Sequence, residues 1–360
     1  MKLLHLATLL AFISAALLHH STLLAAQDES IPPQVQSSVD RGLDWLAHTQ
    51  DARTGSWPVN LDRPTPSIAV TSLAVMAFMA RGHVPGQGPY GDNVNRGIDF
   101  ILTQQQDNGL LSSANIRQAM YDHGIASIML CEAYGMVDEP RQQRIKIVVA
   151  KAVRLILNAQ TLPKTPRDIG GWRYTPTSED SDISVTGWQL MALRGAANIG
   201  APVPRKAIDL GIAYIKRRAV DGGGFSYILN GDPNAARTGT GILSLELLGQ
   251  HHTKEALAGG DYLLRNALAG AHPHSPGQTF TGEHYYYTVY YCTQAANQLG
   301  GKYWDDIHTA IRTSLLQRQQ QNGSWSAANT NEQQGGDSYA TSMSILALTV
   351  PYRYLPIYQR

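Results

Sequence analysis

The chain of 360 residues has only two cysteines, five phenylalanines and a charged fraction of 16%. Two thiols, Cys131 and Cys292, cannot make the disulfide framework of a small secreted domain. Lys and Arg number 29 against 28 Asp and Glu, a formal charge of +1. No Lys/Arg run or basic tail occurs, so the charge pattern argues against a nucleic-acid partner or an anionic membrane surface. Strand-like alternation is scarce, which argues against a sheet protein. There is no phosphate-cradling Gly loop, nucleophile elbow or Cys–His dyad; Gly222-Gly223-Gly224 belongs to a repeated turn described below.

Long apolar runs are missing too, except for Leu3 to Leu18. Met1-Lys2 precedes that run, and Leu24-Ala25-Ala26 ends it in small residues. The pattern reads as a secretory signal peptide over 1–26, cut near Ala26. The run is shorter than the ~20 residues of a spanning helix, and His19-His20 interrupts it. Residues 27–34 form a polar leader. The expectation is a protein exported to the periplasm or beyond, with no integral membrane segment in its mature form.

What the chain does have is internal repetition. A tail of the form basic–Gly–x–x–aromatic–Leu/Ile–x–x–x–Gln leads into Gly–x–aromatic. The best copy is Arg41-Gly42, Trp45-Leu46, Gln50, then Gly55-Ser56-Trp57. A second is Arg96-Gly97, Phe100-Ile101, Gln105, then Gly109 and Leu111; the last is Leu315, Gln319, Gly323-Ser324-Trp325. Repetition at roughly 50 residues means a repeated supersecondary unit.

Each unit reads as a pair of helices. The first carries one apolar stripe, as in Val35, Val39, Leu43 and Leu46, or Ile208, Ile212 and Ile215. The second is apolar nearly all round, as in 67–80, 123–134 and 184–197, so protein must enclose it. Outer helices are expected at about 35–50, 92–106, 141–160, 204–219, 254–268 and 303–320, in line with the helical spacing. Inner helices are expected at about 66–81, 120–135, 181–199, 237–249, 284–299 and 337–349. Six outer–inner hairpins closing on themselves make an all-α (α/α)6 toroid, one domain over 35–360. Cys131 and Cys292 then fall on opposite members of the inner ring. Packed helices lie ~8–10 Å apart, so two unbridged, buried thiols are predicted.

The repeat resembles the QW motif of the squalene–hopene cyclase and protein prenyltransferase superfamily, over essentially all of 35–350. The third to fifth copies are degraded: Ala219 stands where Gln is expected before Gly223-Gly224-Phe225. The resemblance implies that Gln50, Trp57, Gln105, Gln160, Trp172, Gln319 and Trp325 tie helix ends together rather than catalyse. The thioester motif of related complement-type toroids is absent.

In such a toroid the loops entering the inner helices open on one mouth, where helix N-termini favour anions. Asp122-His123, Asp180-Ser181-Asp182, Arg237-Thr238, Glu283-His284 and Asp337-Ser338 would converge there. Asp180-Ser181-Asp182 resembles the DxDD motif of class II terpenoid cyclases. By that match Asp182 is a general acid and Asp180 its support, since crowded carboxyls can raise one pKa. Ile183 replaces the motif's last Asp, however, and either aspartate can instead cap the helix. Tyr285, Tyr286, Tyr287, Tyr290 and Tyr291 put rings on a broad face of one inner helix, able to line a hydrophobic pocket, stabilise a cation or stack on a sugar. Trp188 has the same ambiguity.

His284, Asp337 and His123 have the donor types of a metal site, yet the prenyltransferase Asp-x-Cys element and later His are absent. No metal or cofactor is expected. The substrate-binding candidates are Asp122, His123, Trp188, Arg237, His284, Tyr286, Tyr287, Tyr290 and Asp337. The resemblance implies an isoprenoid-like hydrophobic ligand, bound or transformed. The alternatives are a non-catalytic exported protein binding a lipid, glycan or polypeptide, and a glycan-active enzyme with two carboxyls across a cleft.

Overall fold

A computed structural model describes residues 31–59, 62, 65–112, 116–266, 284–327 and 332–359. The proposed signal segment lies outside them, as does Glu283. Among the described residues twelve helices, apart from short 3-10 turns, alternate between two walls. The outer helices are α1 (Pro33–Thr49), α3 (Gly91–Thr103), α5 (Glu139–Gln160), α7 (Arg205–Lys216) and α9 (Lys254–Asn266). The sixth, α11, is interrupted: Gly301–Tyr303, a π turn at Trp304–His308, then Thr309–Arg318. The inner helices are α2 (Ile68–Ala80), α4 (Ala119–Ala133), α6 (Ile183–Asn198), α8 (Ala235–Leu247), α10 (Tyr285–Leu299) and α12 (Gly336–Leu348).

The burial follows the sequence periodicity. On α1 the buried apolar residues are Val35, Val39, Leu43 and Leu46, one stripe on an otherwise polar helix. On α2 every residue but Ala69 is buried. Helices of the second kind cannot sit at a surface, and they form the inner ring. Each packs on the next in the order α2, α4, α6, α8, α10, α12, and α12 returns to α2. The ring is closed, and α1 also packs on α11 and α12. Cys131 on α4 and Cys292 on α10 are free and buried.

One hydrogen-bonding device recurs around the outer wall. Gln50 Nε2 donates to the carbonyls of Gly55 (2.8 Å) and Asn93 (2.9 Å). Gln105 does the same to Gly109 and Val148, Gln160 to Gly170 and Ala207, and Gln319 to Gly323 and Ser38. Each Gln thus joins its own turn to the next outer helix, and the last joins the end of the ring to its beginning. The indole N–H groups of Trp57, Trp172 and Trp325 donate to Leu46, Ile156 and Leu315, fixing each turn on the helix before it. At Gly170 φ is +91°, and a Cβ there would lie 2.2 Å from the carbonyl oxygen of Leu210. Gly323 repeats that geometry (φ +92°), with its Cβ position 2.5 Å from the Arg41 carbonyl oxygen. Only glycine lets these turns approach the neighbouring helix so closely.

A second device ties each turn to the inner wall. The backbone N–H of the motif's aromatic residue donates to a threonine hydroxyl on the following inner helix. The pairs are Trp57 with Thr71, Trp172 with Thr186, Phe225 with Thr238 and Trp325 with Thr341, at 3.0–3.1 Å. In the second repeat Leu111 donates instead to Nδ1 of His123, at 3.0 Å.

The end of the ring where the inner helices terminate is crossed by the segment 350–358. Ile357 N–H donates to Glu132 Oε2 at the end of α4 (3.2 Å), and Gln298 near the end of α10 donates to the Tyr358 carbonyl (3.0 Å). Leu355, Ile357 and Tyr358 are buried there. Among the described residues no comparable segment crosses the other end, at the N-termini of the inner helices.

Candidate functional site

A cavity of about 550 Å³ lies at the end of the ring where the inner helices begin. Its walls follow a simple register. Two residues before each of the anchoring positions Thr71, His123, Thr186, Thr238 and Thr341 come Ala69, Tyr121, Ser184, Ala236 and Tyr339, all cavity-lining. Tyr287 occupies the matching place on α10. Two residues after the anchor, one helical step deeper, come Leu73, Ile125, Trp188 and Met343, which form the floor.

Exposure changes with depth. Leu73, Trp188, Met343 and Ile125 are 0–5% exposed. Gln118, Asn234, His284 and Gln334 at the mouth are exposed, and Asp122 and Arg237 are intermediate. The cavity therefore grades from an apolar floor to a polar rim. Between them stand five partly exposed tyrosines from five repeats: Tyr121, Tyr174, Tyr227, Tyr287 and Tyr339. Tyr174 and Tyr227 bond through their hydroxyls, and Tyr287 bonds Thr240 at 3.2 Å. Burial pushes the phenols of Tyr121 and Tyr339 well above their ordinary range, so they stand as neutral hydroxyls. Trp188 is held from behind, stacked on Tyr290 (5.9 Å between centroids, 10° between planes) and edge-on to Tyr291 (5.4 Å, 71°).

Of the residues singled out in the sequence, Asp122, Trp188, Arg237, His284 and Tyr287 line this cavity. Asp180, Asp182, His123, Tyr286, Tyr290 and Asp337 are not among the residues lining it. His123 is fully buried, taking the place a threonine holds in four other repeats. Nδ1 accepts from Leu111 N–H, so Nε2 carries the proton and donates to the Ala152 carbonyl on α5 (3.2 Å). Burial lowers its pKa to about 4. The Tyr290 hydroxyl bonds Tyr358 in the segment across the far end. Tyr286 donates to the Ser326 carbonyl at 2.8 Å, and Asp337 accepts from Ala327 N–H at 2.9 Å. Among the described residues no three His, Cys, Asp or Glu side chains gather as a metal-ligand set, so His123, His284 and Asp337 do not converge.

Asp182 is a helix cap. Its Oδ1 accepts from Val185 N–H at 2.9 Å, as Ser67 accepts from Val70 on α2 and Asn234 from Arg237 on α8. All three stand four residues before the anchoring threonine, so the repeat itself places a cap here. The rest of its carboxyl is unusual. The residue is 0% exposed, and Oδ2 is buried with no hydrogen-bond partner among the described residues. Burial pushes its pKa up to about 6, against the opposing pull of the Val185 N–H and the Arg173 guanidinium 3.8 Å away. Tyr174, Tyr227 and Ser184 line the cavity, whereas Asp182 has no surface in it. Asp180 is an exposed residue paired with Arg173 at 2.7 Å.

Three cavity features were not singled out in the sequence: the four scattered tyrosines, the buried Glu332, and the rim amides of Gln118, Asn234 and Gln334. One signal was available. Tyr174 and Tyr227 stand two places after the motif aromatics Trp172 and Phe225, where Val59 follows Trp57, and all three line the cavity.

No family model matches the chain, and no curated protein matches it. Solved structures do. The GH76A alpha-1,6-mannanase of Salegentibacter sp. HEL1_6 superposes with a TM-score of 0.63 at 13% identity, covering 88% of this chain and 99% of that one. The type II terpene cyclase MstE from Scytonema gives 0.56 at 14% identity, covering 90% and 100%. The protein geranylgeranyltransferase-I of Candida albicans gives 0.54 at 12%, covering 89% and 92%. At such identities the likeness is one of fold: this chain is an α/α toroid of the kind those enzymes share. The one Asp-Asp pair in the sequence, Asp305-Asp306, lies in the π turn of outer helix α11. Among the described residues no helix is long and apolar enough to cross a membrane.

Proposed function

We propose that the protein binds one small amphipathic molecule of isoprenoid type in the toroid, its apolar body on the floor and its polar end at the mouth. The observation that supports this reading is the gradient from Leu73, Ile125, Trp188 and Met343 to the polar rim. An apolar floor with a few convergent polar groups is the usual make-up of a small-molecule site, and 550 Å³ falls within its range of roughly 300–1,000 Å³. Terpene cyclases and a prenyltransferase use the same fold. Export through the N-terminal segment is part of this proposal, placing the ligand outside the cytoplasm.

The reading is one of binding rather than turnover. The Asp182 carboxyl caps α6 and is not among the cavity-lining residues, which supports a reading of binding. A second reading is a glycan ligand, favoured by the collar of five tyrosines and the amide-bearing rim, and a mannanase has the same fold. Thermal shift separates the two. With farnesol and α-1,6-mannotriose as probes, the proposal expects a saturable rise in Tm with farnesol alone. A rise with mannotriose alone favours the glycan reading, and no rise with either counts against a small-molecule cavity.

A further inference from the structure

The charged groups at the mouth bear on the polar end of that ligand. Arg237 is the one Lys or Arg among the described cavity-lining residues. It sits three residues into α8, where the helix already carries partial positive charge, an unfavourable place for a cation. Its Nη1 donates to the Asp232 carbonyl oxygen (3.0 Å), and its guanidinium lies 5.2 Å from the centroid of the Tyr227 ring. No carboxylate among the described residues pairs with it. The other guanidinium in this corner, Arg173, is taken up by Asp180 at 2.7 Å and Asp182 at 3.8 Å. The two lining carboxylates are engaged elsewhere: Asp122 accepts from Ala69 N–H and Ser112, and Glu332 from Tyr286 N–H.

We infer that Arg237 receives a singly charged oxyanion, so that the ligand is a carboxylate-headed amphiphile and not a diphosphate. This rests on the cavity reading above. One cation without a carboxylate partner matches one negative charge, whereas a diphosphate would bring several charges to a rim whose described lining residues hold no second guanidinium. The guanidinium still has N–H donors left over from the Asp232 bond, in the planar fork that fits a carboxylate. The Tyr227 ring lies against that fork and also against Arg173, at 5.2 and 5.5 Å from the ring centroid.

A head-group series on one body tests this: farnesoic acid, farnesol and farnesyl diphosphate, titrated against wild type, Arg237→Gln and Arg237→Lys. Hydrogen bonds to charged groups contribute about 1.5–3 kcal/mol. Wild type should therefore bind the acid about tenfold or more tightly than the alcohol, and the diphosphate no more tightly than the acid. Arg237→Gln should abolish the acid's advantage over the alcohol, and a melting temperature matching wild type's shows that the variant is folded. Arg237→Lys should keep part of the advantage. Equal binding of acid and alcohol to wild type, tighter binding of the diphosphate, or an advantage that survives Arg237→Gln would each overturn the inference. If none of the three binds, the cavity reading itself has failed.

Discussion

Replacing Gln319 by leucine cuts the seam at which the ring closes, between residues 281 positions apart in sequence. The side chain makes four hydrogen bonds. Nε2 donates to the Ser38 and Gly323 carbonyls at 2.8 Å each, and Oε1 accepts from the Ser38 hydroxyl at 2.7 Å and from Arg41. At a net of about 0.5–1.5 kcal/mol each, with some retained by water at this half-buried site, the loss is about 2–4 kcal/mol. Gln50 makes the same four kinds of bond, to Gly55, Asn93 (donor and acceptor) and Arg96, within sequence-adjacent repeats. If the ring is closed, Gln319→Leu and Gln50→Leu should cost the same to within about 1 kcal/mol. Urea unfolding followed by far-UV circular dichroism measures both, through a lowered midpoint at constant slope. A full cost for Gln50→Leu with less than about 0.5 kcal/mol for Gln319→Leu would refute the reasoning, because an open superhelix has no seam to lose.

Gly170→Ala imposes a left-handed conformation on a residue with a Cβ and drives that atom against the Leu210 carbonyl; a cost of about 3 kcal/mol or more in the same assay is expected. His123 is held neutral, its pKa lowered to about 4 from 6.5. Its contribution is fully present above the unfolded pKa and fades as pH falls from 6.5 toward 4, by up to about 3 kcal/mol. His123→Thr, the residue of the other repeats, should remove that pH slope while preserving the fold. Asp182 has the opposite sign. Its folded pKa is raised to about 6, so the stability it contributes is present below the unfolded value and is lost as pH rises through 6. Asp182→Asn keeps the cap acceptor, and its melting temperature should exceed wild type's at pH 8, with the gain shrinking toward pH 4.

Much of the fold was readable because its causes are local and periodic. Val35, Val39, Leu43 and Leu46 mark one stripe, the run 67–80 marks an enclosed helix, and the recurring Gln and Gly mark each turn. Helix ends moved where side chains took over from the backbone: α6 begins at Ile183 because Asp182 is its cap, and α3 stops at Thr103 so that Gln105 can reach Gly109 and Val148. The site was less readable. Five tyrosines crowded on α10 drew attention, but only Tyr287 among them faces the cavity, because a helix shows one narrow arc to the ring's interior. The collar is made of single tyrosines contributed by different repeats, and their meeting depends on ring closure. Asp180-Ser181-Asp182 resembles an acid motif and Asp182 also caps α6, because a cap and an acid need the same residue type. His123 looked like a ligand for a similar reason, although the repeat register shows it standing in for threonine.

The cavity's role can be tested by filling it. Ala69 lines the wall from a half-exposed position on α2, so Ala69→Trp places an indole in the cavity without displacing the packed floor. Native mass spectrometry of protein purified from its own host should show wild type carrying a small-molecule adduct. The adduct should be absent from Ala69→Trp at an unchanged melting temperature. An adduct retained by the filled variant, or a wild type that carries none and takes up none of the farnesyl probes, would contradict the account.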